Sequence, residues 1–235
     1  MQDKAQNNAA LEEAVKKLIA SLGEHVGREG LSRTPRRVSK AFEKVFSGYD
    51  KKPEELLTTF DGEGYDEMIV VKDIDFYSTC EHHLLAFFGK AHIGYIPDGK
   101  IIGLSKIPRL VEIFSRRLQN QERLTMEIAQ SLKKLINPRG VGVVLEAKHL
   151  CMMARGVEKQ GSQVTTSAML GLFKKEINPS IQTKQKQYSA NLRFISKCAP
   201  NNCKQTRCTC RRLLEVTAGS REQNHCGFCE EDEYD

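Results

Sequence analysis

The spacing of apolar residues predicts helices in the first part of the chain. Residues 9–22 carry apolar side chains at helical intervals, and a glycine follows them as a stop signal. Thr34 is expected to cap a second helix, with Pro35 in its first turn, and a short helix is expected near Pro53. Residues 1–60 are therefore predicted to form an N-terminal helical region.

After residue 60 the pattern changes to runs rich in β-branched and apolar residues. Strands are predicted over residues 68–71, 87–96, 141–153 and 164–173. Helices are predicted between the second and third of these strands, over residues 105–118 and 122–136. Helices first, then strands with an inserted helix pair, indicate an α+β domain over residues 61–173.

The character of the chain changes again after Phe173. Residues 174–235 are polar, end in an acidic run and are predicted to form a largely disordered, atypical tail. Six of the eight cysteines of the protein lie in this tail, at Cys198, Cys203, Cys208, Cys210, Cys226 and Cys229. The last two have metal-ligand spacing, but incidental thiols on a disordered tail are the favoured interpretation.

The charge is moderately basic, with 36 Lys and Arg residues against 30 Asp and Glu residues and a net charge of +6. The basic residues do not form one block before residue 174, which disfavours nucleic acid and leaves a polyanionic small molecule as the partner. No apolar run is long enough to predict a membrane span, and the polar N-terminus does not resemble a secretory signal. A cytoplasmic protein is predicted, whose reduced cysteines are candidate metal ligands.

A compact group of cysteines and histidines is the main chemical feature. Cys80 and His83 are three residues apart and can converge on one metal ion. On the predicted strand 141–153, His149 and Cys151 would point to the same face, so Cys151 can complete a three-ligand set. A mixed nitrogen and sulfur set favours zinc.

The number of ligands separates two kinds of zinc site. His82 or His149 as a fourth ligand would close a structural site, whereas three protein ligands would leave a position where water is activated. A buried cysteine and a solvated histidine, with no metal, are the alternative for either motif alone. The adjacent pair His82 and His83 favours the metal, because neighbouring imidazoles seldom serve packing.

Basic residues beside a predicted helix start could bind a triphosphate. Ser105, Lys106 and Arg109 open that helix, where free amide groups and the helix dipole attract anions. Arg155 follows the predicted strand closely enough to reach the metal edge, and Arg37 lies in the first turn of the second helix. Solvated side chains are the alternative for each of these residues.

Gln121 and Glu122 lie where one predicted helix ends and the next begins. A carboxylate can accept two hydrogen bonds from a guanine edge, and a carboxamide can add a third contact. The alternative is a helix start, where glutamate is common. The spacing alone leaves both open.

Five segments together resemble GTP cyclohydrolase I. They are CEHH at residues 80–83, GKAHIGYIP at 89–97, GLSK at 103–106, RRLQNQERLT at 116–125, and residues 140–156. The resemblance extends from about residue 11 to Phe173. It implies a tunnelling fold, in which an antiparallel sheet with helices on one face forms a barrel when subunits assemble, typically in a homodecamer with active sites between subunits.

The resemblance also implies a reaction. Zinc-activated water opens the guanine ring of GTP, formate leaves, and rearrangement gives 7,8-dihydroneopterin triphosphate, the first step of tetrahydrofolate or tetrahydrobiopterin biosynthesis. Animal enzymes of the family can bind a feedback regulatory protein, and allosteric control of this chain is part of the expectation.

Individual residues acquire roles only through this resemblance. Cys80, His83 and Cys151 match the zinc ligands. Proton-transfer roles are implied for His82, His149 and Ser105. Glu122, with Gln121, matches the guanine anchor. Contacts with the triphosphate or ribose are implied for Ser105, Lys106, Arg109, Arg155 and Arg37.

Other functions stay open on the sequence. The C-terminal tail departs from the family pattern, so an inactive or regulatory subunit is one alternative. A zinc-binding interaction module that uses the cysteine-rich tail is another. A related tunnelling-fold enzyme acting on a different pterin or deazapurine is a third.

Overall fold

The computed structural model describes residues 2–56 and 58–174. Its helices are α1 (Gln2–Ser21), α2 (Thr34–Val45), α3 (Lys106–Ser115), α4 (Gln121–Ile136) and the single turn α5 (Leu150–Met153), with a 3₁₀ helix at Pro53–Leu56. Its strands are β1 (Thr59–Asp61), β2 (Ile69–Cys80), β3 (Ala86–Ile96), β4 (Lys100–Ile102), β5 (Leu118–Gln119), β6 (Gly140–His149) and β7 (Val164–Gly171). The α+β prediction is confirmed for this part of the chain.

The main sheet has the order β5-β2-β3-β6-β7. Its four long strands are antiparallel neighbours, and β5 pairs in parallel with the end of β2. β1 and β4 form a separate two-stranded ribbon. The prediction of an antiparallel sheet is therefore confirmed for the long strands.

The helices α3 and α4 cover one face of this sheet. The alternate residues Ala91 and Ile93 of β3 and Leu145 of β6 are fully buried against Leu124 and Ile128 of α4. Each such isoleucine or leucine contributes about 1.5–3 kcal/mol of folding free energy through its burial. This shared core fixes the start of α4 relative to the strand ends.

Three strand ends meet at one end of the sheet. Cys80 ends β2, and the chain then turns back into β3, with the Cys80 amide donating to the Leu85 carbonyl. Leu84 adopts a positive φ of 54° in this turn. On the next strand, His149 ends β6 directly opposite Phe87 of β3. Residues far apart in sequence are thereby brought together.

Some predicted bounds are wrong. The predicted strand 141–153 ends at His149, because the chain turns into α5 at Leu150. The strand predicted over 68–71 runs instead to Cys80, with a bulge that shifts its register. The short strands β1, β4 and β5 were not predicted, since two or three residues show no periodicity.

The start of α2 also differs from prediction. Thr34 is the first helical residue, not the cap. Arg33 takes the cap position with φ −101° and ψ −1°, since the preceding turn is already nearly helical, and no side chain caps the helix. Pro35 does lie in the first turn and is buried.

The structure leaves the predictions for the tail and for the boundary at residues 60 and 61 untested. The predicted tail, from residue 175 onward, lies outside them, as do its six cysteines. Within the described part, no helix combines the length and apolar character that a membrane crossing requires. The boundary at residues 60 and 61 stays a prediction.

Candidate active site

Cys80, His83 and Cys151 converge at the end of the sheet where the strands meet. Their potential ligand atoms all lie within 4.8 Å of one another. The Cys80 Sγ atom is 3.7 Å from His83 Nδ1. The sequence predicted this grouping, but Cys151 reaches it from α5 and not from a strand, so the argument from strand alternation was wrong while the grouping was right.

The donor set fits a zinc ion. Burial, together with the neighbouring Cys80 thiol, raises the pKa of Cys151, because two nearby thiolates repel each other. A divalent cation would offset that repulsion and favour both thiolates. Two sulfur atoms and one imidazole nitrogen form a three-ligand set of the kind that leaves a zinc position open. His83 is exposed, so solvent reaches this side of the cluster.

His149 stands next to the cluster and is held by two contacts. Its ring stacks on Phe87 with the centroids 4.6 Å apart and the planes 1° from parallel. Its Nε2 atom is 2.7 Å from the Gln121 Oε1 atom. Burial lowers the pKa of His149, which favours the neutral imidazole.

Gln121 is a buried residue whose carboxamide is fully used. Its amide nitrogen donates to the carbonyls of Leu145 (3.1 Å) and Val164 (2.9 Å). Its oxygen must therefore accept from His149, which assigns the proton of the neutral ring to Nε2 and leaves Nδ1 as the free nitrogen. The contact of Gln121 with guanine stays a prediction, whereas the neighbouring Glu122 is exposed and available.

His82 and Arg155 lie at the rim of the cluster. The His82 side chain is 65% exposed, and its ring meets that of His83 edge to face. Arg155 Nη1 lies 2.9 Å from His83 Nε2, so a guanidinium reaches the metal edge as the sequence predicted. Both side chains could face a substrate that approaches from solvent.

Sequence reasoning missed Phe87 and the ion pair between Glu81 and Arg123. Glu81 separates Cys80 from His82 in the chain, and its carboxylate contacts Arg123 and Asn120 on the far side of the turn. The Arg123 guanidinium holds the pKa of Glu81 below its usual value. The one sequence feature that pointed to this ion pair was the opposite charge of Glu81 and Arg123. The two residues are 42 positions apart and lie in two of the segments that resemble the family.

Ser105 and Lys106 lie elsewhere. The amide of Ile102, three residues before Ser105, donates to the Tyr95 hydroxyl at 3.1 Å. Tyr95 is eight residues along β3 from Phe87, which is about 26 Å at the usual rise of roughly 3.3 Å per residue. The start of α3 is therefore toward the opposite end of the sheet from the cluster.

Arg109 and Arg37 are both exposed. Arg109 lines a small cavity of about 210 Å³ between α3 and β2, together with Tyr77 and Arg116. Arg37 lies in the first part of α2, a helix that packs against α1. Among the predicted anion-binding residues, Arg155 is the one that the structure shows in contact with the cluster.

The profile of the GTP cyclohydrolase I family matches residues 11–187. The chain belongs to the GTP cyclohydrolase I family. The match extends past Phe173, where the sequence resemblance was expected to end. Family membership confirms the predicted resemblance and places the chain among enzymes of this type.

Curated relatives carry the name GTP cyclohydrolase 1. That of Chlorobaculum tepidum is 58% identical over 70% of this chain and 74% of its own length. The protein of Chlorobium chlorochromatii is 57% identical over 69% and 74%, and that of Methylococcus capsulatus is 55% identical over 72% and 92%. A solved structure titled archaeosine synthase QueF-Like, at 19% identity, covers 44% of this chain and 93% of that one with a TM-score of 0.38, too weak a likeness to bear on the fold.

Proposed function

We propose that this GTP cyclohydrolase I family member converts GTP into 7,8-dihydroneopterin triphosphate and formate at a zinc centre. The observation that carries the proposal is the convergence of Cys80, His83 and Cys151 beside an oriented histidine. The product would supply tetrahydrofolate or tetrahydrobiopterin synthesis.

The chain's own residues account for binding and proton transfer. Cys80, His83 and Cys151 would hold zinc, which when bound supplies Lewis-acid activation of water for attack on the guanine imidazole ring. The exposed carboxylate of Glu122 accepts hydrogen bonds from the guanine edge. The neutral His149 ring takes a proton from water at its free Nδ1 atom and passes it to the ring nitrogen beside the attacked carbon, while its Nε2–H stays on Gln121.

Later steps need groups that can move protons at the ribose. His82 is exposed beside the cluster and takes this role, with Ser105 as a second proton carrier. Arg155 lies close enough to the metal edge to contact a phosphate or the ribose. These assignments follow the family pattern, position by position.

A second copy of the chain would complete the site. Ser105 and Lys106 lie toward the end of the sheet marked by Tyr95, which is about 26 Å along β3 from Phe87 beside the cluster. In the described part, β7 has no partner on its outer side, and most of β2 pairs only with β3. Such open edges can pair between copies, which supports the barrel and the homodecamer that the family resemblance implies.

The test is turnover of GTP by the purified full chain with added zinc. Formation of dihydroneopterin triphosphate is followed by ultraviolet absorbance and by fluorescence after oxidation. Turnover and stoichiometric zinc are expected for the wild type, and both should be lost in Cys151→Ala. Cys203→Ala, which removes a thiol outside the described residues, serves as the matched control and should keep both.

Two results would contradict the proposed function or the assignment of its ligands. A folded, zinc-loaded wild-type chain that makes no product would contradict the proposal and favour an inactive or regulatory subunit. Equal loss of zinc in the Cys151 and Cys203 variants would contradict the assignment of the ligands.

A further inference from the structure

Glu81 lies within the turn that carries the metal ligands, and its Oε1 atom is 3.9 Å from the Nε2 atom of the neighbouring His82. Its Oε1 atom accepts from Asn120 Nδ2 at 3.1 Å and from Arg123 Nη1 at 3.2 Å. Its Oε2 atom accepts from Arg123 Nη2 at 2.5 Å. Both carboxylate oxygens are thus occupied, and Glu81 is not in the group that could hold a metal ion.

Arg123 is anchored on its other side by two groups of β5. Its Nε atom donates to Gln119 Oε1 at 2.9 Å, and Nη2 also donates to the Leu118 carbonyl at 2.9 Å. Gln119 is 1% exposed and donates in turn to Glu127 and the Phe114 carbonyl. The guanidinium is therefore fixed in place before it meets Glu81.

Asn120 joins the same network to the start of α4. Its Oδ1 atom accepts from the Arg123 amide at 2.8 Å and caps the helix, while its Nδ2 atom donates to Glu81. The first turn of α4 also contains Gln121, which holds His149, and Glu122, the proposed guanine anchor. One set of contacts therefore links the metal-ligand turn to both groups.

Apart from the contact of Arg155 with His83, the turn is held mainly by its backbone. Its backbone hydrogen bonds run to Cys80, Leu85 and Gln119, while His82, His83 and Leu84 are exposed. A bidentate, charge-assisted pair fixes both distance and direction. Because Glu81 and Arg123 are 27% and 41% exposed, the pair contributes little to global stability, so its main effect is local geometry.

We propose that Glu81 and Arg123 are positioning residues, which hold the turn that carries Cys80 and His83 in a fixed relation to the first turn of α4. The purine-binding part of this inference rests on the proposed function. The metal-binding part does not, because it concerns how well the unliganded turn presents its ligands.

The test compares Glu81→Gln, Arg123→Gln and the double variant with the wild type. Glu54→Gln is the matched control, because it removes the carboxylate of an exposed ion pair with Lys134. Zinc affinity is measured by competition with a chelator, and the thiolate-to-metal absorption of the cobalt form reports ligand geometry. GTP turnover gives kcat and KM, and urea unfolding gives global stability.

Each single variant should lower metal affinity by about tenfold and alter the cobalt spectrum, as loss of a supporting contact around a metal site does. The KM for GTP should rise several-fold, since Glu122 loses its relation to the metal. The metal affinity of the double variant should be no lower than that of the single variant with the lower affinity, because both substitutions break the same interaction. Arg123→Lys should recover part of the affinity, and Glu54→Gln should match the wild type.

Wild-type metal affinity and an unchanged cobalt spectrum in both single variants would overturn the proposal, as would additive losses in the double variant. A fall in unfolding free energy with intact metal affinity would reduce the pair to a structural role and also overturn it. Metal binding is read without GTP, so absence of turnover in the wild type would refute the proposed function while leaving this test decisive.

Discussion

The two ends of the sheet differ in how their candidate functional residues are held. At the end with the cysteines, His149 stacks on Phe87 and contacts the buried Gln121, and the turn after Cys80 is tied through Glu81. Toward the other end, Ser105 is exposed. The first end is organised within one chain, whereas the second presents side chains outward, as a surface that serves a neighbouring copy would.

The largest effect is expected when a proposed zinc ligand at the organised end of the sheet is replaced. Cys80→Ser removes one of the three proposed zinc ligands, so zinc content and GTP turnover should both fall steeply. Metal analysis of the folded variant, together with the product assay, checks this. Retention of zinc at wild-type stoichiometry would mean that the metal is held elsewhere.

Removing the oriented histidine should cost less. His149→Ala leaves the three ligands in place but deletes the group proposed to exchange a proton with guanine. Turnover should drop by about 10²–10⁴-fold, the usual range for a general acid or base, with zinc content unchanged. Turnover near the wild-type value would remove His149 from the mechanism.

Gln121 tests whether that histidine must be oriented. Gln121→Leu leaves two backbone carbonyls and the His149 nitrogen without their partner, so the unfolding free energy should fall by about 1–3 kcal/mol. Turnover should fall by about tenfold. Chemical denaturation and steady-state kinetics measure the two quantities, and a loss of stability without any loss of turnover would make Gln121 a packing residue only.

The smallest effect concerns His92, in the middle of the sheet between the two ends. His92 is fully buried, its Nδ1 atom accepts from the Asp73 amide at 3.2 Å, and burial lowers its pKa. Glu146 and Asp73 oppose this shift, while Lys72 and Lys90 add to it.

The sign of the pH effect follows from that lowered pKa. Below the unfolded value of about 6.5, the unfolded chain binds a proton that the folded chain resists, so acidification lowers stability. Between pH 7.5 and 5, the wild type should lose up to about 1.4 kcal/mol per pH unit more than His92→Asn. Urea unfolding of both proteins at the two pH values checks this, and equal losses would contradict it.

The sequence predicted the chemistry of the organised end better than its geometry. The spacing of Cys80 and His83 was enough to propose shared metal binding. Cys151 was grouped correctly by an incorrect argument, since β6 ends two residues earlier and a single helical turn takes over. A turn of that length has no periodic signature.

The contacts of Gln121 and Glu81 could not be predicted, because they depend on tertiary packing. Gln121 meets His149 across 28 residues, and Glu81 meets Arg123 across 42. The position of the segment before Lys106 likewise required a tertiary contact, the hydrogen bond from the Ile102 amide to the Tyr95 hydroxyl. From the sequence, Arg155 was placed near the metal edge, and the other basic residues were expected to join it around one triphosphate.

Complementation between two variants tests most directly whether one site is built from two copies. Cys151→Ala damages only the organised end, and Lys106→Ala only the opposite end, so each protein alone should be nearly inactive. The two are unfolded together, refolded as a mixture and assayed with GTP and zinc, with each variant treated alone as the control. If sites form between copies, mixed assemblies contain some sites with both halves intact, and turnover should reappear. If mixed assemblies form and turnover stays at the level of the separate variants, both halves of the site belong to one chain and the account is wrong.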